Sequence, residues 1–335
     1  MHNAIENREL IVLDGLGIRI QGTYHAPPSV LSHVPLGQRS LGRTGVLFLN
    51  SLSLPRAASG DSAVHWADSI AEHGYPSFRI DLPGLGDSGG SASTDLLNFI
   101  NSGGFAPVAA AAAKELVDRF GLSGLVIFGH CAGSVSALYA AAAGREASGL
   151  ILLDPYFHLP QARRPKVRQE LSDWARRSKV GRLLSNTYDW AKNLLLLLRG
   201  SALPGNANSQ LLAGWKQVAA GGLPILLLKA PGIKAHGFRP RVGEFDYTGH
   251  ALKLAGRKSR VSVEFVEGAD HSFANYGGRE PVQRHIEDWL VSHFPLEDFN
   301  RNAKRAAPLR AGEKQSDSRK SPTAPANLGC ALKGR

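Results

Sequence analysis

The chain has 335 residues, 43% hydrophobic and 20% charged, enough apolar material for one large globular domain or two small ones. No apolar run reaches the roughly 18–20 residues that span a bilayer, "NLLLLLR" near residue 195 included, and the opening "MHNAIENREL" reads as neither basic start nor apolar core of a signal peptide. The net charge of +11 is concentrated in residues 300–335, which hold nine Lys/Arg and two acids and leave only +4 for the rest, so the basic balance argues against a nucleic-acid-binding surface.

In chain order, "RELIVLDG" (8–15) and "GIRIQGTYH" (17–25) predict an opening antiparallel hairpin. "GVLFLN" (45–50) predicts a buried strand, followed by a helix over 62–73 and a strand at "SFRIDL" (77–82). "DLPGLGDSGG" (81–90) is a glycine-rich loop, 105–120 is helical, and "GLVIFG" (124–129) is a strand. A small-residue helix over 134–143 and the strand "GLILLD" (149–154) come next. After a long basic, helix-patterned stretch, the strands "LPILLLKA" (223–230) and "VSVEFVEG" (261–268) precede a terminal amphipathic helix over 281–293. Strands alternating with helices predict an α/β fold, with a mostly parallel eight-stranded sheet flanked by helices.

The expected organisation is a core of residues 1–154 and 223–296, a helical lid inserted after the sixth strand over 155–222, and a disordered basic tail over 297–335. The lid segment 161–182 holds eight Lys/Arg and two acids, a rim suited to phosphates or an acidic carrier, or simply a solvated helix face. With only Cys131 and Cys330 there is no disulfide framework, and a reducing cytoplasm is the expected location.

The stretch "FGHCAGS" (128–134) lies between a predicted strand and a predicted helix. A nucleophile on so sharp a turn needs small neighbours two residues before and after it, which Gly129 and Gly133 supply. Cys131 is therefore the candidate nucleophile; the plain alternative is an inert buried cysteine beside packing glycines. The N-terminus of the following helix favours an anion, so the amide of Ala132 is one candidate oxyanion donor. The other is expected from the loop after the third strand, "NSLSLPRAASG" (50–60), at Ser51 or Leu52.

His271, in "EGADHSF" (267–273), is the one of twelve histidines that combines the end of the last strand with a following terminal helix, and is the candidate base. The acid has three solutions. Asp154, at the end of "LILLD", is preferred; Asp246 or Glu244 in "RVGEFDYTG" is the alternative; a Cys–His dyad without an acid is the third. His130, next to Cys131, is expected to pack below the site rather than to act in it.

These residues resemble the α/β-hydrolase superfamily over about 8–294, with "FRIDLPGLGDSGG" similar to its shared Asp-x-x-Gly-x-Gly-x-Ser segment. More narrowly, "GYPSFRIDLPGLGDSGG", the cysteine elbow, "DPYF" and "GADHSF" resemble hydrolases associated with exosortase A systems, which are linked to exopolysaccharide gene clusters. Those relatives tend to carry an aspartate soon after strand seven, where this chain has Pro231-Gly232-Ile233. An acid moved to the end of strand six would match polyketide-synthase thioesterases, which the chain resembles in "GH-x-AG" and "LLD".

A thiolate can exist before substrate arrives when a helix N-terminus and an imidazolium stabilise it. Taking an acyl group from another thioester is then roughly isoenergetic. The expected activity is cleavage or transfer of an activated acyl group, ester or thioester, through an acyl-cysteine. The expected partner is a small-molecule substrate, with coenzyme A or an acyl carrier protein as carriers. No cofactor or metal is implied, since neither a ligand cluster nor a nucleotide fingerprint occurs. A non-catalytic accessory protein on the same scaffold, for example in exopolysaccharide biosynthesis, is the second expectation.

Overall fold

In the computed structural model, which describes residues 7–28, 40–159, 203–231 and 245–296, two hydrophobic patterns become two kinds of strand. The hairpin strands β1 (Arg8–Asp14) and β2 (Arg19–His25) pair antiparallel at one edge. In β1 the alternation is plain: Ile11 and Leu13 are buried, while Leu10 and Val12 face outward.

The interior strands have continuous apolar runs because both of their faces are covered. They are β3 (Thr44–Phe48), β5 (Gly124–His130), β6 (Ala147–Leu153) and β7 (Ile225–Lys229). With β4 (Ser77–Ile80) and β8 (Val261–Phe265) they complete one sheet of order β1-β2-β4-β3-β5-β6-β7-β8. All pairs from β4 to β8 are parallel, and β2 joins β4 antiparallel. This is the eight-stranded, mostly parallel sheet that the sequence pattern predicts.

Successive side chains enter opposite layers. Leu47, Leu125, Ile127, Leu150, Leu152, Ile225 and Leu227 face one core. Val46, Phe48, Val126, Phe128, Ile151, Leu153, Leu226 and Leu228 face the other. The second core is closed by α1 (Ser62–Glu72) with Trp66 and Ile70, and by the last helix through Val282, Ile286 and Leu290. The first core is closed by α2 (Leu96–Asn101), α3 (Ala106–Phe120), α4 (Ala132–Ala143), α5 (Ser209–Ala220) and α6 (Tyr247–Ala255).

Three departures from the sequence pattern stand out. The last helix, α7 (Tyr276–His293), begins five residues before Pro281, which lies inside it. Proline is commonest at the first helical position, and here that preference is overridden. Helix α6 was not expected. Of the segment expected as a lid, residues 160–202 lie outside the described residues, and its far end forms α5, where Trp215 and Leu211 are buried in the core. The expected tail from residue 297 also lies outside the described residues. Among those residues, no helix is long and apolar enough to cross a membrane.

Candidate active site

Cys131 is the residue between β5 and α4, with φ 52° and ψ −114°. A non-glycine residue in that region is strained and persists only where its surroundings over-determine it. Here the Cys131 amide donates to the Leu153 carbonyl at 2.9 Å, and the Cys131 carbonyl accepts from the Ser134 amide at 3.0 Å. The Ser134 hydroxyl donates to the carbonyls of Gly129 (2.8 Å) and Leu153 (3.1 Å). The glycines are forced by close approach: a Cβ on Gly133 would lie 2.7 Å from the Asn50 carbonyl, and one on Gly129 would collide with the Gly133 carbonyl. The thiol is neither fully buried nor freely exposed.

Ala132 is the first residue of α4, so its N–H has no acceptor within the helix. The loop after β3 comes up beside it, since the Asn50 carbonyl is the atom that excludes a side chain from Gly133. In that loop Ser51 is buried, whereas Leu52 is exposed and left-handed at φ 52°. The loop is held from below. The Asn50 side chain donates to Leu54 O (2.9 Å) and Asp81 Oδ1 (2.9 Å) and accepts from the Leu82 amide (2.6 Å). Asp81, wholly buried, accepts from the Arg56 amide at 2.7 Å and pairs with the Arg56 guanidinium. The first residue of "DLPGLGDSGG" thus fixes the shape of the loop, and its carboxylate is occupied.

His271 lies on the turn after β8. Phe273 is a buried plug at φ 52°, and Asp270 Oδ1 accepts from the Ser272 amide (2.9 Å) and hydroxyl (2.6 Å). His271 Nδ1 is 3.0 Å from Asp154 Oδ2. Asp154 directly follows β6, with φ 43°, and its amide donates to the Leu228 carbonyl at 2.8 Å. Its other oxygen, Oδ1, accepts from Lys229 Nζ at 3.0 Å and from the Ala230 amide at 3.3 Å. Burial opposes ionisation of Asp154, but the His271 hydrogen bond and the Lys229 charge outweigh it and hold its carboxyl below the usual range. His271 is raised to about 10, first by the Asp154 hydrogen bond and then by the Cys131 side chain, against the opposing effect of burial. Both partners thus favour the charged ring.

The structure thus brings Cys131, His271 and Asp154 together and uses Asp246 elsewhere. Asp246 is the N-cap of α6, accepting from the Gly249 amide at 2.7 Å. Glu244 lies outside the described residues. Two contributors were not foreseen. Lys229 ends β7, near where an acid was sought, and instead grips the acid of the neighbouring strand. His130 donates from Nε2 to the His271 carbonyl at 2.6 Å, because a carbonyl can only accept. Burial, chiefly, lowers the pKa of His130 and keeps it neutral. Among the described residues, no cluster of His, Cys, Asp and Glu has metal-binding geometry.

A family model described as alpha/beta hydrolase fold matches residues 46–207. No curated protein matches the sequence. The chain is similar in structure to the alpha/beta hydrolase GrgF from Penicillium sp. sh18, with TM-score 0.55 and 15% identity over 86% of this chain and 99% of that one. It is similar to DcsB in complex with a substrate analogue, with TM-score 0.54 and 15% identity over 86% of this chain and 100% of that one. Est1E from Butyrivibrio proteoclasticus, bound to ferulic acid, gives TM-score 0.51 and 14% identity over 84% of this chain and 98% of that one. At such identities these likenesses speak for the fold.

Proposed function

We propose, on the premise that the chain has the α/β-hydrolase fold, that it is an acyl-transfer hydrolase whose nucleophile is Cys131. The observation that carries the reading is the line from the strained Cys131 through His271 to Asp154, with His271 Nδ1 3.0 Å from the carboxylate. The occurrence of esterases on this fold, among them one from Pyrococcus furiosus, agrees with it.

In this mechanism Cys131 reacts as a thiolate with the proton held on His271, whose ring the Asp154 carboxylate favours in its charged form. The thiolate attacks the acyl carbonyl; an S–C bond forms and the carbonyl electron pair moves to oxygen. That oxygen is held by the amide of Ala132 and by one from Ser51 or Leu52. Collapse expels the leaving thiolate or alkoxide, which takes the proton from His271. Water then gives a proton back to His271 as its oxygen adds to the acyl carbon, and the C–S bond to Cys131 breaks. Asp154 orients the ring and stabilises its charge throughout.

A thioester donor, from coenzyme A or a carrier protein, is the favoured substrate, because forming an acyl-cysteine from it exchanges like for like. The likeness to polyketide-synthase thioesterases points the same way, and that to exosortase-associated hydrolases makes exopolysaccharide assembly a setting for the reaction. A reducing cytoplasm suits a working thiol. The test is intact mass after brief exposure to butyryl N-acetylcysteamine thioester and to ethyl butyrate. The expected result is a butyryl adduct on Cys131, absent from C131A and formed faster from the thioester. An adduct elsewhere, or turnover that survives C131A, overturns the assignment.

A further inference from the structure

The loop that carries Ser51 and Leu52, residues 50–61 between β3 and α1, is strained and weakly packed. Leu52, Ala58 and Asp61 all take left-handed backbone angles, with φ 52°, 61° and 54°. Residues with a Cβ persist in that region only where their surroundings impose it. Packing does not impose it here, since none of residues 52–61 is buried. A cavity of about 20 Å³, room for one water molecule, also separates the loop from the core. Asn50, Ser51 and Arg56 line it on one side, Trp66 and Phe128 on the other. Polar ties must therefore hold the loop.

Those ties meet at Arg56. Its amide donates to Asp81 Oδ1 at 2.7 Å, and its guanidinium pairs with Asp81 and with Asp87, the latter at 2.7 Å. Its carbonyl accepts from Arg79 Nη1 at 3.0 Å. Asp81 Oδ1 also accepts from Asn50 Nδ2 at 2.9 Å, so the turn bearing Ser51 and Leu52 is bracketed by two residues bound to one carboxylate. Arg79 lies on β4, is 5% exposed, and donates from Nε to His25 Nε2 at 2.9 Å. A buried guanidinium is costly, and well-packed apolar side chains are often as stabilising. What this one contributes is geometry: its planar fork joins β2 to the loop, a span that neither an apolar residue nor a lysine copies.

We infer that Arg79 is a positioning residue for the oxyanion site. Through the Arg56 carbonyl it holds the loop so that the amide of Ser51 or Leu52 meets the charge developing on the acyl oxygen. The inference rests on the acyl-cysteine reading above and names what fixes its second oxyanion donor.

The test compares two reactions of Cys131 in the wild type, R79M and R79K. Acylation by butyryl N-acetylcysteamine thioester builds charge on a carbonyl oxygen. Alkylation by iodoacetamide forms an S–C bond as iodide leaves, and builds none. Both variants should acylate about tenfold more slowly or worse, with kcat falling and KM little changed, while alkylation stays within about twofold of the wild type. R79K, which keeps the charge and most of the volume, carries the test if R79M does not fold. Acylation at the wild-type rate overturns the inference; so does equal slowing of both reactions, which would mean that the elbow itself has moved. Hydrogen exchange of the amides in 51–57 reads the loop without any reaction. It should quicken in the variants while α4 keeps its protection, and unchanged exchange overturns the inference. A wild type that alkylates at Cys131 but never acylates would sink the acyl-cysteine reading, and the exchange result would then decide alone whether Arg79 holds the loop.

Discussion

Two histidine–aspartate pairs in this chain share a hydrogen bond and differ in charge. His271 Nδ1 lies 3.0 Å from Asp154, and His25 Nδ1 lies 2.6 Å from Asp68. Yet His271 is raised to about 10, whereas His25 is lowered. A carboxylate on one ring nitrogen therefore does not decide the charge. Burial acts first: the side chain of His25 is 1% exposed and that of His271 61%. The other partner acts next. Arg79 Nε donates to His25 Nε2 at 2.9 Å, and a guanidinium can only donate, so that nitrogen is an acceptor and the ring is neutral. His271 has the Cys131 side chain as its other partner, and an ionised thiol there favours the imidazolium. One pair ties strands β2 and β4 to α1; the other is poised for proton transfer.

The largest effects should separate the pairs. H271A should slow adduct formation by about a thousandfold or more, with a smaller loss in the urea midpoint than a fully buried residue would give. H25A should do the reverse. It leaves the buried Arg79 guanidinium and the half-buried Asp68 each one hydrogen-bond partner short, a loss of about 1–3 kcal/mol by the cost of an unsatisfied buried group, while Cys131 still acylates. A folded H25A that forms no adduct would break the distinction.

Stability against pH should show opposite signs. His271 is held charged, so its pair contributes fully below the unfolded value of 6.5, and that contribution is lost as pH rises from 6.5 to about 10. His25 is held neutral, so the unfolded chain takes up a proton first and stability falls as pH drops below 6.5. Melting temperatures of wild type, H271A and H25A across this range check both. The gap between wild type and H271A should narrow on the alkaline side, and that between wild type and H25A on the acid side.

The sheet was legible because its interior strands are unbroken apolar runs bounded by turns. The elbow was legible because a close turn needs glycine on both sides. The partners of the acid were not. Asp154 reaches His271 only because its own φ is positive and because β6 and β7 pair in parallel, with Leu153 opposite Leu228, which sets Lys229 beside it. Neither fact has a sequence signature, and a lysine at a strand end is ordinary. Asp246 did carry a usable signal, since "DYTG" places a capping side chain three residues before an amide that needs one. His130 was expected to pack below the site rather than to act in it. What it meets there, a carbonyl 141 residues later, depends on the tertiary fold alone.

Lys229 tests whether Asp154 needs a second cation. In K229M the carboxylate keeps the His271 bond and the 3.3 Å Ala230 contact, and loses the charge 3.0 Å away. The Asp154 pKa should then rise toward its ordinary value, moving the acid limb of kcat/KM upward, with about a tenfold loss at neutral pH, in line with a charged hydrogen bond. K229R should restore much of it. An unmoved acid limb would mean that Lys229 serves only the sheet edge.

The smallest effect belongs to His130. Its Nε2–H holds the backbone of His271, not its ring, at 2.6 Å, and its ring packs edge-on against Phe273 with centroids 5.7 Å apart. H130F keeps the ring contact and removes the donor, at a cost of about 1 kcal/mol, or about fivefold in kcat/KM. Because the Asp154 hydrogen bond is untouched, the alkaline limb near pH 10 should stay in place while the rate falls. A shift of that limb would show instead that the turn, once released, carries the His271 ring away from its carboxylate.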